Sequence, residues 1–388
     1  MSSINLKNRI KAFFSKCTLY KHTSTSHFHH KTVYLQDIIE SNEFLNTKAK
    51  LPIVLGKDLS GQPVILDIAR MPHLLIAGKS GSGKSMAVNT MILSLLYKFS
   101  PEQVRFIMID PKIVELSIYD NIPHLLTPVI TEMKKAGNAL RWVINEMERR
   151  YILLDRLSVR NIEEYSDKLK QSGVRENLSY IVIIIDEFSD LLMVHGKRIE
   201  DYIVQIEQKA QAVGIHLILT TQRPSEDVIT KLIKSNIASR IAFKVTSNID
   251  SKTILDKNGA ERLLEQGDML YSTTGTRNLM RIHGAFIKDS DIEKVADGWR
   301  AKSRPNYIDT IIETAKNDEK SGSSNNGDLD PLFDEVVAFV IQLEVTSASG
   351  LQRQFSISFP RAVRILDQLQ QKGILSTPDN QGKRTILT

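Results

Sequence analysis

Gly78-Lys79-Ser80-Gly81-Ser82-Gly83-Lys84-Ser85 matches the pattern G-x-x-x-x-G-K-[ST] in full, and its surroundings supply the context that the pattern needs. An apolar run of strand length, Leu74-Leu75-Ile76-Ala77, precedes it, and Met86 to Tyr97 has helical composition, so the loop falls at a strand-to-helix turn. Glycines at 78, 81 and 83 let successive N–H groups curl toward a polyphosphate at the helix N-terminus, while Lys84 adds a mobile positive charge against the β- and γ-phosphates. Ser85 is then placed to hold Mg2+ by its hydroxyl. Lys79, Ser80 and Ser82 complete the expected nucleotide-binding loop.

A second stretch, Tyr180-Ile181-Val182-Ile183-Ile184-Ile185-Asp186-Glu187, reads as a central parallel strand whose C-terminal end carries two carboxylates. Asp186 is expected to orient Mg2+ or its water shell. Glu187 is expected to orient, or take a proton from, the water attacking the γ-phosphate. A further strand, Ile215-His216-Leu217-Ile218-Leu219, runs into Thr220-Thr221-Gln222-Arg223-Pro224, which puts Gln222 near the γ-phosphate as a candidate sensor. The expected catalytic set is therefore Lys84, Asp186, Glu187 and Gln222, with ATP and Mg2+ as cofactors.

Composition bounds the rest. The 388 residues contain one cysteine, Cys17, which excludes an internal disulfide framework, and no run of eighteen apolar residues. Both features suit the cytosol. The formal net charge is +6, yet residues 1–35 carry Lys7, Arg9, Lys11, Lys16, Lys21 and Lys31 with no acid, so the remainder sums to zero. The excess sits on an N-terminal arm, and any DNA path must come from local clustering. Leu6, Ile10, Phe13, Phe14 and Cys17 recur at helical spacing there, which allows peripheral contact with anionic lipid, although a helix this short is marginal in water and a disordered arm is the simpler expectation. His22, His27, His29 and His30 lie in a Ser/Thr-rich stretch and read as solvated rather than metal-binding.

Along the chain, Pro63 to Asp67 pairs with the Val54-Leu55 segment as a hairpin, Val104 to Asp110 forms a buried strand, and residues 131–157 a long helix whose Arg/Glu-rich faces read as solvated or as a subunit contact. Arg240 to Val245 supplies another strand; Gly267 to Tyr271 and Ile282 to Phe286 form a closing antiparallel pair. A boundary falls in Lys320-Ser321-Gly322-Ser323-Ser324-Asn325-Asn326-Gly327, which has the composition of a tether. Residues 331–388 have the pattern of a winged helix-turn-helix, with Arg361 and Arg364 at the start of the third helix, the end that enters a major groove. Arg353, Lys383 and Arg384 are expected to reach phosphates. The expected organisation is a basic, His-rich arm at 1–32, an α/β P-loop NTPase domain with a mainly parallel sheet at 33–312, a linker at 313–330 and the small winged-helix domain at 331–388.

From about Val33 onward the sequence resembles the motor and C-terminal γ domains of FtsK/SpoIIIE DNA translocases. The resemblance rests on Leu55-Gly56-Lys57-Asp58, Met71-Pro72-His73-Leu74-Leu75, Asp110-Pro111-Lys112, Asn121-Ile122-Pro123-His124-Leu125-Leu126, Asn145-Glu146-Met147-Glu148-Arg149-Arg150-Tyr151, Asp186-Glu187-Phe188, Thr221-Gln222-Arg223-Pro224-Ser225, Gly267-Asp268-Met269-Leu270-Tyr271 and Gln352-Arg353-Gln354-Phe355. It implies a RecA-like ATPase that assembles as a homohexameric ring around double-stranded DNA, pumps it in chromosome partition and cell division, and takes direction from sequences read by the winged helix. It also implies Gln222 as the γ-phosphate sensor, Arg361 and Arg364 as sequence readers, and a site-specific recombinase or division proteins as partners. Three departures accompany it: only the basic arm stands where members carry a membrane-helix region, Gln205 and Gln211 stand where arginines are usual, and Pro360 opens the recognition helix. The expectation is a bacterial cytoplasmic short form, associated with membrane or septum through partners. A protein-secretion or conjugation-type ring ATPase and a non-motor DNA-binding adaptor are the alternatives.

Overall fold

The computed structural model describes residues 32–173, 178–273, 278–312, 330, 332–343, 346–355, 357, 359–377 and 384–387. The expectations for the arm through Lys31 and for linker residues 313–329 lie outside these. Alternation along the strands decides the layering. Leu74 and Ile76 belong to one apolar core and Leu75 and Ala77 to the other, while Val182 and Ile184 face opposite to Ile181, Ile183 and Ile185. A sheet apolar on both faces has to be covered twice, so helices pack on each side.

The first unit, which falls within Met1–Thr314, begins with helices α1 (Leu35–Ile39) and α2 (Asn42–Leu45) and strands β1 (Pro52–Asp58), β2 (Pro63–Asp67) and β3 (His73–Ala77). There follow α3 (Lys84–Lys98), β4 (Val104–Ile109), α4 (Met133–Arg156), α5 (Ile162–Gln171), β5 (Tyr180–Ile185), α6 (Phe188–His195), α7 (Lys197–Lys209) and β6 (Ile215–Thr221). The unit closes with α8 (Lys231–Asn236), β7 (Ser239–Phe243), α9 (Asn248–Leu255), β8 (Asp268–Ser272), β9 (Met280–Gly284) and α10 (Asp289–Arg300). Helices α3 and α10 bury Val88, Met91, Ile92, Val295 and Trp299 on one face, and α4 and α7 bury Leu140, Val143, Ile203 and Ile206 on the other.

Among the described residues the sheet has nine strands in the order β2-β1-β9-β8-β7-β3-β6-β5-β4. The five strands from β7 to β4 run parallel. The remaining pairs are antiparallel. Strand β6 lies between the loop-bearing β3 and the acid-bearing β5, so the C-terminal ends of three strands meet at one edge. The hairpin β1–β2 joins the same sheet through β9, and the late pair bridges the sheet where the sequence reading has it closing. A bulge at Val54/Gly56 admits β9 closely: a Cβ on Gly56 would sit 2.0 Å from the carbonyl oxygen of His283.

The second unit, within Ala315–Thr388, holds α11 (Phe333–Leu343), α12 (Ala348–Phe355) and α13 (Phe359–Gln371). They enclose a separate core containing Val336, Val340, Leu351, Ile365 and Leu369. An antiparallel bridge joins Leu375 to Ile386 after the third helix, where the sequence places the wing.

One charged stretch differs from its reading. Arg150 of α4 is buried at 2% exposure, donating to Glu146 at 2.8 Å and to the carbonyl oxygen of Val213 at 2.8 Å. It ties the long helix to the entry of β6, whereas Arg149, with its side chain 55% exposed, fits the solvated reading. Breaking a buried pair strands the partner charge. Arg150→Ala is therefore expected to lower unfolding free energy by about 3–5 kcal/mol. Arg149→Ala is expected to change it by less than about 1 kcal/mol. Denaturant melts of the two variants check the contrast.

Candidate active site

The loop 78–83 leaves β3 and enters α3 with Gly81 at φ 75° and Gly83 at φ 108°, left-handed angles open to glycine at little strain. Its N–H groups at 78 and 79 bond back to the carbonyl oxygens of Thr221 (3.3 Å) and Lys244 (2.9 Å), and Gly267 N–H braces it through Ser82 at 2.9 Å. A Cβ on Gly83 would also lie 2.6 Å from Gly267 N. At the tip Lys79 pairs with Glu265.

Lys84, 3% exposed, reaches across this edge of the sheet. Its Nζ donates to Asp186 Oδ1 at 2.6 Å and to Thr220 Oγ1 at 2.9 Å, and Thr220 donates to the same carboxylate oxygen at 2.6 Å. Asp186 Oδ2 is buried and has no hydrogen-bond partner among the described residues. Ser85 Oγ donates to Glu115 at 2.6 Å. A buried cation, a carboxylate with an unused oxygen and a hydroxyl at a helix N-terminus fit a magnesium-bound polyphosphate. No group of three His, Cys, Asp or Glu side chains that could hold a metal is found among the described residues.

Glu187 follows at φ 53°, ψ 63°, an uncommon conformation for a residue with a side chain. Its carboxylate accepts from Ser189 Oγ (2.6 Å), Thr221 Oγ1 (2.7 Å), the Gln222 N–H (3.0 Å) and Lys112 Nζ (3.2 Å). Burial pushes its pKa up, but these hydrogen bonds and the Lys112 charge outweigh it and hold the group below the usual glutamate value. Stability from this ionised group is present above its unfolded pKa and is lost as pH falls through the depressed one. A carboxylate so held orients a water better than it captures a proton. Gln222 touches Glu187 through its backbone, and its side-chain amide makes no hydrogen bond among the described residues.

Beside the start of α3 lies a cavity of about 780 Å3 walled by Tyr34, Gly83, Met86, Phe243, His283 and Phe286. This apolar and aromatic wall has the size and chemistry for the base and ribose beyond the phosphates.

In the second unit, Arg361 makes a bidentate pair with Asp330 at 2.7 and 2.9 Å, and Arg364 lies 3.7 Å from the same carboxylate with its side chain 52% exposed. Arg384 donates to Asp367, Gln370 and the Leu366 carbonyl oxygen, a largely buried post that braces the third helix. No local pattern signals these acidic partners. The side chain of Arg353 and all of Lys383 lie outside the described residues.

Residues 34–226 match the FtsK/SpoIIIE family model and residues 327–388 match the Ftsk gamma domain. The chain is 57% identical to the DNA translocase FtsK of Haemophilus influenzae over 94% of its own length and 73% of that protein's. It belongs to the FtsK/SpoIIIE family. The DNA translocase FtsK of Haemophilus ducreyi is 55% identical over 95% of this chain, which spans 41% of that longer protein. Two solved structures share the fold at low identity. The cytoplasmic domain of the Thermomonospora curvata type VII secretion ATPase EccC superposes with a TM-score of 0.61 at 21% identity, covering 74% of this chain and 36% of that one. The pCW3 conjugation coupling protein TcpA, in its monomer form with ATPgS, gives 0.58 at 22%, covering 76% and 86%.

Within this FtsK/SpoIIIE fold the structure adds Lys112, Glu115, Ser189, Thr220 and Thr221 to the residues read from sequence. One signal pointed to the first two: they follow the C-terminal end of a buried strand, the edge where parallel sheets bind ligands. Ser189→Ala removes the largest influence lowering the pKa of Glu187, and Lys112→Met a smaller one. Both variants are expected to move the acidic limb of the hydrolysis-rate profile to higher pH, Ser189→Ala further, with the neutral plateau changed less. Rate measurements from about pH 4 to 8 check this, and an unmoved limb would separate Glu187 from the chemistry.

Proposed function

We propose that this chain is the motor and DNA-reading portion of an ATP-driven double-stranded DNA translocase acting in chromosome segregation and cell division. The observation that carries the reading is the 2.6 Å contact of Lys84 with Asp186, one residue before an ionised, fully engaged Glu187. Lys84 and the loop N–H groups would hold the β- and γ-phosphates, with Ser85 and Asp186 holding magnesium. When bound, the ion neutralises charge on the phosphate oxygens. Glu187 orients the attacking water, and Gln222, hydrogen-bonded to Glu187 through its N–H, passes the state of the γ-phosphate to the segment beyond β6.

The family resemblance supports assembly as a homohexameric ring around the duplex, and the gamma-domain match supports a winged helix that steers it. A secretion motor has no need of a DNA reader, which sets that alternative second. No helix among the described residues is long and apolar enough to cross a membrane. We place the chain in the bacterial cytoplasm, acting with recombination or division proteins.

Wild-type protein is expected to hydrolyse ATP faster with long duplex DNA and to displace a triplex-forming strand from it. Lys84→Ala should abolish both, and Glu187→Ala should retain nucleotide while losing hydrolysis. One rate with and without DNA, and an undisturbed triplex, would overturn the reading; stimulation by a protein substrate would favour a secretion motor. Arg364→Ala should lose about 1–3 kcal/mol of preference for the recognised DNA sequence without changing the thermal melt. Arg361→Ala should lower the melt as well, because Asp330 loses its bidentate partner. Competition binding and calorimetry separate the two.

A further inference from the structure

The segment after β4 carries a local strain that the exposed residues at its start do not repay. The Asp110 carboxylate, fully buried, accepts from the N–H groups of Lys112, Ile113, Val114, Glu115 and Leu116 at 2.9 to 3.1 Å. This clip forces Ile113 to φ 57°, a strained setting for a β-branched residue. Ile113 and Val114 themselves end 61% and 71% exposed, while Leu116, held by the same carboxylate, is buried in the core. The clip also fixes the backbone of Glu115, whose side chain reaches the phosphate loop.

Two rungs join this segment to the phosphate-loop helix. Glu115 accepts from Ser85 Oγ at 2.6 Å, and Tyr119 donates to Asn89 Oδ1 at 2.6 Å. Residues four apart on a helix share a face, so Ser85 and Asn89 present one surface of α3 to the segment. Tyr119 is fully buried and anchors the lower rung. A serine hydroxyl has one proton and two lone pairs. With its proton given to Glu115, Ser85 Oγ keeps its lone pairs for a ligand, and the buried Asp186 Oδ2 is likewise without a hydrogen-bond partner among the described residues.

We propose that Glu115 is a magnesium-positioning residue of the ATP site, fixing the Ser85 hydroxyl so that its oxygen faces the cation. It acts through Ser85 and adds a negative charge beside the ion. Groups that orient a metal's ligands commonly change metal affinity by roughly 10- to 100-fold when removed. The inference rests on the reading of this site as one for magnesium and ATP.

The test is nucleotide binding by the full chain, followed with a fluorescent ATP analogue at rising magnesium concentration and again with magnesium chelated. Glu115→Ala is expected to raise the magnesium concentration for half-maximal binding by roughly tenfold or more, with affinity in chelator within about twofold of wild type. Glu115→Gln keeps an acceptor oxygen for the Ser85 proton and should fall between. A magnesium midpoint in Glu115→Ala equal to wild type would overturn the proposal, as would an equal loss of affinity with and without the ion. Wild-type binding that ignores magnesium altogether would instead count against the ATP-site reading.

Discussion

The buried ion pair between Lys84 and Asp186 is the constraint on which the rest depends. Both side chains are under 5% exposed, and removing two charges from water costs several kcal/mol per ion unless geometry and further hydrogen bonds compensate. Here Thr220 supplies them, donating to Asp186 and accepting from Lys84. The arrangement requires three strands in a fixed order, because the lysine follows β3, the acid follows β5 and the threonine ends the strand between them. A polyphosphate entering the loop competes for the same ammonium. A nucleotide bound as proposed would exchange these contacts for its own.

Glu187 shows the same design one residue further on. Its carboxylate is saturated by donors from three separate segments: Lys112 after β4, Ser189 on α6, and Thr221 with Gln222 at the end of β6. Any movement of one of these segments changes the charge environment of the others. With Glu115 on Ser85, the segment after β4 touches both the hydroxyl of the phosphate loop and the second acid. Remote parts of the sheet brace the loop as well. Gly267 bonds Ser82, and Gly284 bonds Gly267, so the turn before β8 and the end of β9 stand behind the phosphate cradle.

In the second unit, a single carboxylate organises the start of the third helix. Asp330 takes two hydrogen bonds from Arg361 and lies near Arg364, and the first of these contacts chiefly holds its pKa below the ordinary aspartate value. Arg384 is tied to the same helix from the wing side. The cations that sequence assigns to DNA thus also hold the unit together, and Arg364 is the most exposed of the three whose side chains are described.

Local pattern was enough to read the phosphate loop at its strand-to-helix turn, the acids at a strand end, the strands, the two long helices that flank β4 and the three-helix tail, but not the shorter helices that cover the sheet. Glycine spacing, continuous β-branched runs and helical periodicity are properties of neighbours in the chain. They report which backbone angles are accessible and which faces are apolar. Strand order is a different kind of fact: the near-continuous apolar run in β6 says that both its faces are buried, but not that it separates β3 from β5, nor that β9 slots between β8 and β1. The same holds for Glu115 on Ser85, Lys112 on Glu187 and Arg150 under Val213, each a polar contact between distant segments with no periodic trace. Such pairs form because burying a charge or hydroxyl demands a partner, and only the packed sheet decides which partner is within reach.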